Sequence, residues 1–266
     1  MLAATGVNGT DIIDAHGDPL LIVSWSDAVV IGAAVVAGSI ASVTGFGIGS
    51  LLTPVFALQV DTRLAVAAVS IPHVVGTALR FWLLKGGVER RVLWAFGLTS
   101  AMGGLAGAML QDLAGNIWLT VLFGVLLLFA AASEATGLAR RMRFRGPVAW
   151  IAGALSGLLG GLVGNQGGIR SAALIGFDLP KNAFVGTATA IALFVDGARM
   201  PVYVLTQYDR ITMIGRLVAL ATVGVAVGTV LGSRVLGRMP EAWFRRVLAL
   251  VLAILGAAML WKALRS

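Results

Sequence analysis

The chain has 266 residues, of which 58% are hydrophobic and only 12% charged, and its mean hydropathy is +0.93; soluble domains carry about 25% charge, so the solvent implied here is a bilayer. The absence of cysteine excludes disulfides, thiolate nucleophiles and iron–sulfur clusters, and two histidines leave little for a metal site, so no cofactor and no metal is expected. The net charge of +8 sits in short clusters between apolar runs rather than along one amphipathic face, which argues against nucleic acid and for loop charges that set membrane topology.

Residues 1–27 hold Asp11, Asp14, Asp18 and Asp27 but no lysine or arginine. They lack the positive start of a signal peptide and read as an extramembrane leader. The run 28–60 is too long for one crossing and too short for two with a turn. Gly45-Phe46-Gly47-Ile48-Gly49 interrupts its middle, so it is predicted as two short helices, either a re-entrant hairpin or a steeply tilted pair. Single crossings follow at 64–84, broken only by Arg80, then at 92–111 and 113–133. After a basic linker, 138–146, the run 146–177 is again interrupted, at Gly164-Asn165-Gln166-Gly167-Gly168, and 183–206, 217–233 and 247–261 supply three more crossings.

The recurrence is a duplication. An offset of 119 carries Gly45 onto Gly164 and Arg80 onto Arg199. The expected fold is an all-α polytopic membrane protein of two repeats, 28–137 and 147–264, each a broken or re-entrant pair of short helices followed by three transmembrane helices. Whether a pair crosses twice or not at all, each half has an odd number of crossings, so the halves are inverted copies. The 85–91 loop, the Arg140, Arg141, Arg143 and Arg145 linker and the loop with Arg234, Arg238, Arg245 and Arg246 then share one side, the cytoplasm. The acidic leader and the loops at 111–116 and 207–209 fall outside; Lys262 and Arg265 dissent mildly.

Ser70, His73, Thr77 and Arg80 are spaced by three and four and share a helical face, and their +119 counterparts are Thr189, Ala192, Asp196 and Arg199. An arginine at the bilayer centre costs roughly 2.5–3.5 kcal/mol, so each one needs a reason. Arg80 lies five residues before Lys85 and is either a snorkelling side chain or a ligand. Arg199 is three residues from Asp196 and either pairs with it structurally or binds substrate. Arg170 follows 24 uncharged residues and the Gly-Gly break, at the start of a short helix, and is the foremost candidate for holding an anion. At both breaks one helix ends and another opens, exposing N–H groups and a positive dipole end, so Gly47, Gly49, Gly167 and Gly168 join Arg170 as candidate ligands, with Asn165 and Gln166 as neutral donors. His73 and Asp196 are candidates for proton coupling. Gly103-x3-Gly107 and Gly224-x3-Gly228 read as helix packing, and Trp82, Trp94, Trp118, Trp150, Trp243 and Trp261 as interfacial anchors.

Gly45-Phe-Gly-Ile-Gly-Ser-Leu-Leu-Thr-Pro54, the polar step at Asp61, the stretch Gly153-Ala-Leu-Ser-Gly157 through Gly168, Leu179-Pro180-Lys181 and Val185-Gly186-Thr187 resemble the TauE/SafE family of membrane permeases, the sulfite exporter family. The resemblance covers about residues 28–264. It implies transport of small sulfur oxyanions or organosulfonates, such as sulfite or sulfoacetate, across a bacterial inner membrane. This chain departs from the family pattern where Asn165, Gln166 and Arg170 intrude and where Ala173 stands at the position matching Pro54.

The expected function is a secondary transporter with the anion held at the midplane between the two breaks. An anion channel is the alternative. An intramembrane enzyme lacks a nucleophile turn or paired carboxylates here. Expected partners are a small anion and membrane lipids, with a homodimer left open.

Overall fold

A computed structural model describes residues 24–84, 87–138, 147–164, 167–236 and 240–265, and among them it contains ten α-helices and no strand. In chain order they are α1 (Trp25–Thr44), α2 (Ile48–Ala57), α3 (Thr62–Leu84), α4 (Arg90–Gln111), α5 (Asn116–Thr136), α6 (Pro147–Val163), α7 (Gly167–Ile175), α8 (Lys181–Met213), α9 (Gly215–Leu236) and α10 (Glu241–Leu264). Seven of them, all but α2, α6 and α7, are long and apolar enough to cross a membrane. The surface is that of a membrane protein: Met102, Val223, Leu250 and Ile254 are exposed, whereas Arg80, Arg170, Asp196 and Arg199 are buried. Trp25 and all six tryptophans expected at span ends are exposed too.

Ser24 starts α1 with a capping box, its hydroxyl accepting from the Asp27 N–H at 3.2 Å while Asp27 accepts from the Ser24 N–H at 3.0 Å. The helix therefore begins inside the segment expected to be leader, and Asp27 belongs to its first turn. Both expected breaks are present. Gly45 at φ 83° and Gly164 at φ 73° end α1 and α6 in the left-handed conformation, each donating its N–H at 3.0 Å to the carbonyl four residues back, Ala41 and Gly160. The expectation of two short helices needs correction in the first half: α1 has 20 residues and rises about 30 Å, while α2 has 10, because the glycines sit past the centre of the apolar run. In the second half both members are short, α6 with 17 residues and α7 with 9.

A second correction concerns 207–209, expected as a loop. These residues lie inside α8, whose 33 residues rise about 50 Å and carry it beyond the hydrocarbon. Arg210 in its last turn pairs with Asp61, which tethers the extension to the head of α3.

Two pairs of helices run parallel through small residues. In α1 and α9, a Cβ on Gly228 would stand 2.1 Å from the Val35 carbonyl oxygen, and one on Gly232 would stand 2.3 Å from the Ser39 Cα. In α4 and α6, Gly103 meets Ala154, Gly107 meets Leu158 and Gly161 meets Gly104 at similar range. Backbones can approach this closely only where side chains are absent, which is the packing expected of the spaced glycines. Between these pairs α3 and α8 cross the centre antiparallel, as the contacts Ser70–Met200, His73–Asp196 and Arg80–Thr189 require.

The helix ends sort into two sets. Asp27 at the head of α1 pairs with Arg216 at the head of α9 at 2.8 Å, and Arg63 at the head of α3 donates to the Asp112 and Ala114 carbonyls after α4. Lys262 near the end of α10 donates to the Ala57 and Val60 carbonyls at the end of α2. At the opposite end Arg245 of α10 pairs with Glu134 of α5 at 3.1 Å, and the Glu89 N–H before α4 donates to Thr187 in α8. The head of α1 and the end of α2 thus lie at the same end of the bundle. The linker residues 139–146 lie outside the described residues.

Candidate functional site

The two breaks meet at the centre. A Cβ on Gly49, in the first turn of α2, would lie 2.2 Å from the Gly164 carbonyl oxygen, and one on Gly167, the first residue of α7, would lie 2.3 Å from the Phe46 Cβ. Gly47 is the N-cap of α2 at φ 126° and supplies no side-chain cap, so the opening N–H groups of that helix have no side-chain acceptor of its own. Gly168 follows Gly167 in the first turn of α7. Asn165 and Gln166 lie outside the described residues.

Around this junction stand the polar side chains of α3 and α8. Ser70, His73, Thr77 and Arg80 are all buried, as are Thr189, Asp196 and Arg199. Asp196 is the hub: its Oδ2 lies 2.8 Å from His73 Nδ1, and its Oδ1 accepts from Arg199 Nε at 3.0 Å and Nη2 at 2.7 Å. An ionised carboxylate only accepts, so His73 Nδ1 carries the proton and Nε2 is the ring's acceptor when the ring is neutral. His73 and Asp196, separate candidates in the sequence, form one pair across the two halves.

Arg80 does not snorkel. It is 3% exposed and donates from Nη1 to the Ala41 carbonyl at 2.7 Å and from Nε to Thr189 at 2.9 Å. Arg199 makes the equivalent bond, Nη1 to the Gly160 carbonyl at 2.6 Å. Ala41 and Gly160 are themselves 119 apart, so each arginine caps the carbonyl end of the helix that leads into the break of its own half. Tyr203, which sequence reading missed, adds a hydroxyl bond to the Gly161 carbonyl and lies beneath the Arg199 guanidinium at 5.9 Å. The available signal was the Gly160-Gly161 pair, whose missing side chains let the Arg199 guanidinium and the Tyr203 hydroxyl reach the backbone.

Arg170 is different. It is 2% exposed, and among the described residues its Nε and Nη1 have no hydrogen-bond partner and Nη2 reaches only the Gly45 carbonyl, at 3.5 Å. A buried guanidinium with most of its donors unused is costly to leave that way. Arg170 and Arg80 reach carbonyls one turn apart on α1, Gly45 and Ala41, and Arg80 also bonds Thr189, two turns along α8 from the Asp196 that joins His73 and Arg199. No group of three metal-binding side chains exists among the described residues.

Broken helices meeting at the centre of a polytopic α-helical membrane protein, with buried cations beside them, belong to the architecture of membrane transporters. A family model described as Sulfite exporter TauE/SafE matches residues 30–259. The chain belongs to the TauE/SafE sulfite exporter family, a family of membrane transporters of the anion-exporter type. No curated protein and no solved structure gives a match to it.

Proposed function

We propose that the protein is a secondary transporter of small sulfur-containing anions, sulfite or organosulfonates such as sulfoacetate, bound beside Arg170 where the two breaks meet. The observation that carries this is the Arg170 guanidinium, buried, largely unpartnered among the described residues, carried by the first turn of α7 and 3.5 Å from the Gly45 carbonyl at the break before α2. Charge-assisted bonds from Arg170 and backbone N–H groups around Gly47, Gly49, Gly167 and Gly168 are the donors a tetrahedral oxyanion needs, with Asn165 and Gln166 beside them in sequence. Arg80 and Arg199 contribute field while holding the carbonyl ends of α1 and α6 in place.

In this reading the halves are inverted copies. The exchange of partners favours it, since α1 runs parallel to α9 as α6 does to α4, and α3 faces α8 antiparallel at the centre. The end of the bundle where α3 and α5 finish, next in sequence to the basic 85–91 loop and the arginine-rich linker, is cytoplasmic, by the excess of positive charge, in a bacterial inner membrane. Alternating access follows: the cluster is buried from both ends here, so an anion enters only when the helices part on one side. His73 and Asp196 are the groups through which a proton couples to that motion, because protonating either changes the bond that ties α3 to α8.

Reconstituted vesicles test the assignment. Arg170→Ala is expected to abolish sulfite or sulfoacetate flux while the purified variant remains monodisperse and helical, and wild-type flux in that variant sinks the site. Saturation at low substrate with stimulation by anion on the far side identifies a carrier; unsaturable flux without it identifies a channel.

A further inference from the structure

We infer that this centre selects a dianion over a monoanion of the same size. The inference rests on the reading that the Arg170 centre is where the transported anion binds.

The argument is a charge balance. Three guanidiniums share the centre: Arg80 and Arg170 reach carbonyls one turn apart at the end of α1, Ala41 and Gly45, and Arg199 pairs with Asp196, the one carboxylate bonded to any of them among the described residues. Three positive charges less one negative leave two. Helix ends do not alter this, because two C-terminal ends, of α1 and α6, and two N-terminal ends, of α2 and α7, meet at the breaks and their charges of about half a unit each cancel. Protonation of His73 adds to the excess and never reduces it. The other described carboxylates paired with arginine, Asp27, Asp61, Asp112 and Glu134, are engaged at the two ends of the bundle.

All four charged side chains of the cluster are buried, at 3% exposure or less, so the excess is poorly screened by water. A monoanion leaves one buried positive charge unbalanced, and a dianion leaves none. Arg170 also has donors to spare on both edges, since Nε and Nη1 lack partners and Nη2 is held only at 3.5 Å. The ligand class is therefore a tetrahedral or pyramidal oxyanion with two charges, or a sulfonate that carries a second acidic group, ahead of simple sulfonates and of zwitterions such as taurine.

The test compares sulfate with methanesulfonate, which has the same tetrahedral head with one oxygen replaced by methyl, by thermal stabilisation of the purified full chain at one neutral pH and constant ionic strength. Sulfate is expected to bind at least about tenfold more tightly. Methanesulfonate binding equal to or tighter than sulfate binding, with both lost in Arg170→Gln, overturns the dianion preference and leaves the anion centre standing. The wild-type comparison decides the preference by itself, whatever the fate of the variant. No stabilisation by sulfate, methanesulfonate, sulfite or sulfoacetate overturns the preference and the anion-binding reading together.

Discussion

The two halves brace their broken helices alike and then diverge. Arg80 and Arg199, 119 residues apart, each donate to a carbonyl in the last turn of the helix before a glycine break. Beyond that bond, Arg80 reaches across to Thr189 of the other half, whereas Arg199 turns to Asp196 on its own helix. Position 51 is a buried leucine where position 170 is a buried arginine. What recurs at the offset of 119 is the bond that holds a helix end at the centre, and what does not recur is the charge placed beside it. A site built this way presents chemically different walls from its two halves even where the backbones correspond.

That comparison is broken most forcefully by removing the braces one at a time. Arg80→Met takes one donor from the Ala41 carbonyl, which still accepts from the Gly45 N–H, and is expected to cost about 1–2 kcal/mol. Arg199→Met also leaves Asp196 with His73 as its partner among the described residues and is expected to cost about 3–5 kcal/mol, the range for breaking a buried ion pair. Equal losses of melting stability would show that Asp196 does not distinguish the halves. Adding Asp196→Asn to Arg199→Met should recover part of the loss, and the double-mutant cycle measures how much of the difference belongs to the pair.

Much of this asymmetry was legible in the sequence, and the reasons it was only partly so are physical. A fixed offset exposes duplicated glycines and arginines because chain breaks and intramembrane charges are both rare enough to register. The partners of those arginines are backbone carbonyls, which every residue has, so Arg80 gave no sign of whether it snorkelled or capped. His73 and Asp196 are 123 residues apart and were each visible as titratable groups, but nothing local joins them. The length of α1 was misjudged because a glycine break marks a helix end without stating which side of the midplane it occupies. The two residues expected to flank the second break as neutral donors, Asn165 and Gln166, lie outside the described residues.

The contact between the breaks can be probed by adding one methyl group. Gly49→Ala would place its Cβ 2.2 Å from the Gly164 carbonyl oxygen, a backbone atom that moves only if α2 and the end of α6 separate. Such overpacking typically costs about 1–3 kcal/mol, and here it should also lower anion affinity, since it displaces the α2 N–H groups from Arg170. Gly197→Ala is the control, on the same helix as Asp196 with nothing within 4 Å of the added methyl, and should leave melting and binding unchanged. If Gly49→Ala binds sulfite as tightly as the parent, the meeting of the two breaks is packing and no part of the binding site.

The smallest effect expected lies far from the centre, at the end where Asp61 joins α2 to α3. Burial opposes the ionised form of its carboxyl, but the Leu64 N–H, the paired Arg210 and nearby Arg63 outweigh it and hold Asp61 below the usual carboxylate range. A depressed value in the fold means that the contribution is complete above the unfolded carboxylate value and is lost as pH falls through the folded one. Because Arg210 is 46% exposed, screening keeps the pair within about 1 kcal/mol. Asp61→Asn should therefore melt slightly lower than the parent at neutral pH, with the gap closing in acid and narrowing at high salt. The pair links the head of α3 in one half to the tail of α8 in the other, so its loss should leave anion affinity unchanged while easing separation of the halves at that end. A gap in melting that persists unchanged into acid would mean that Asp61 stabilises this end by its shape and its Leu64 contact and not by its charge.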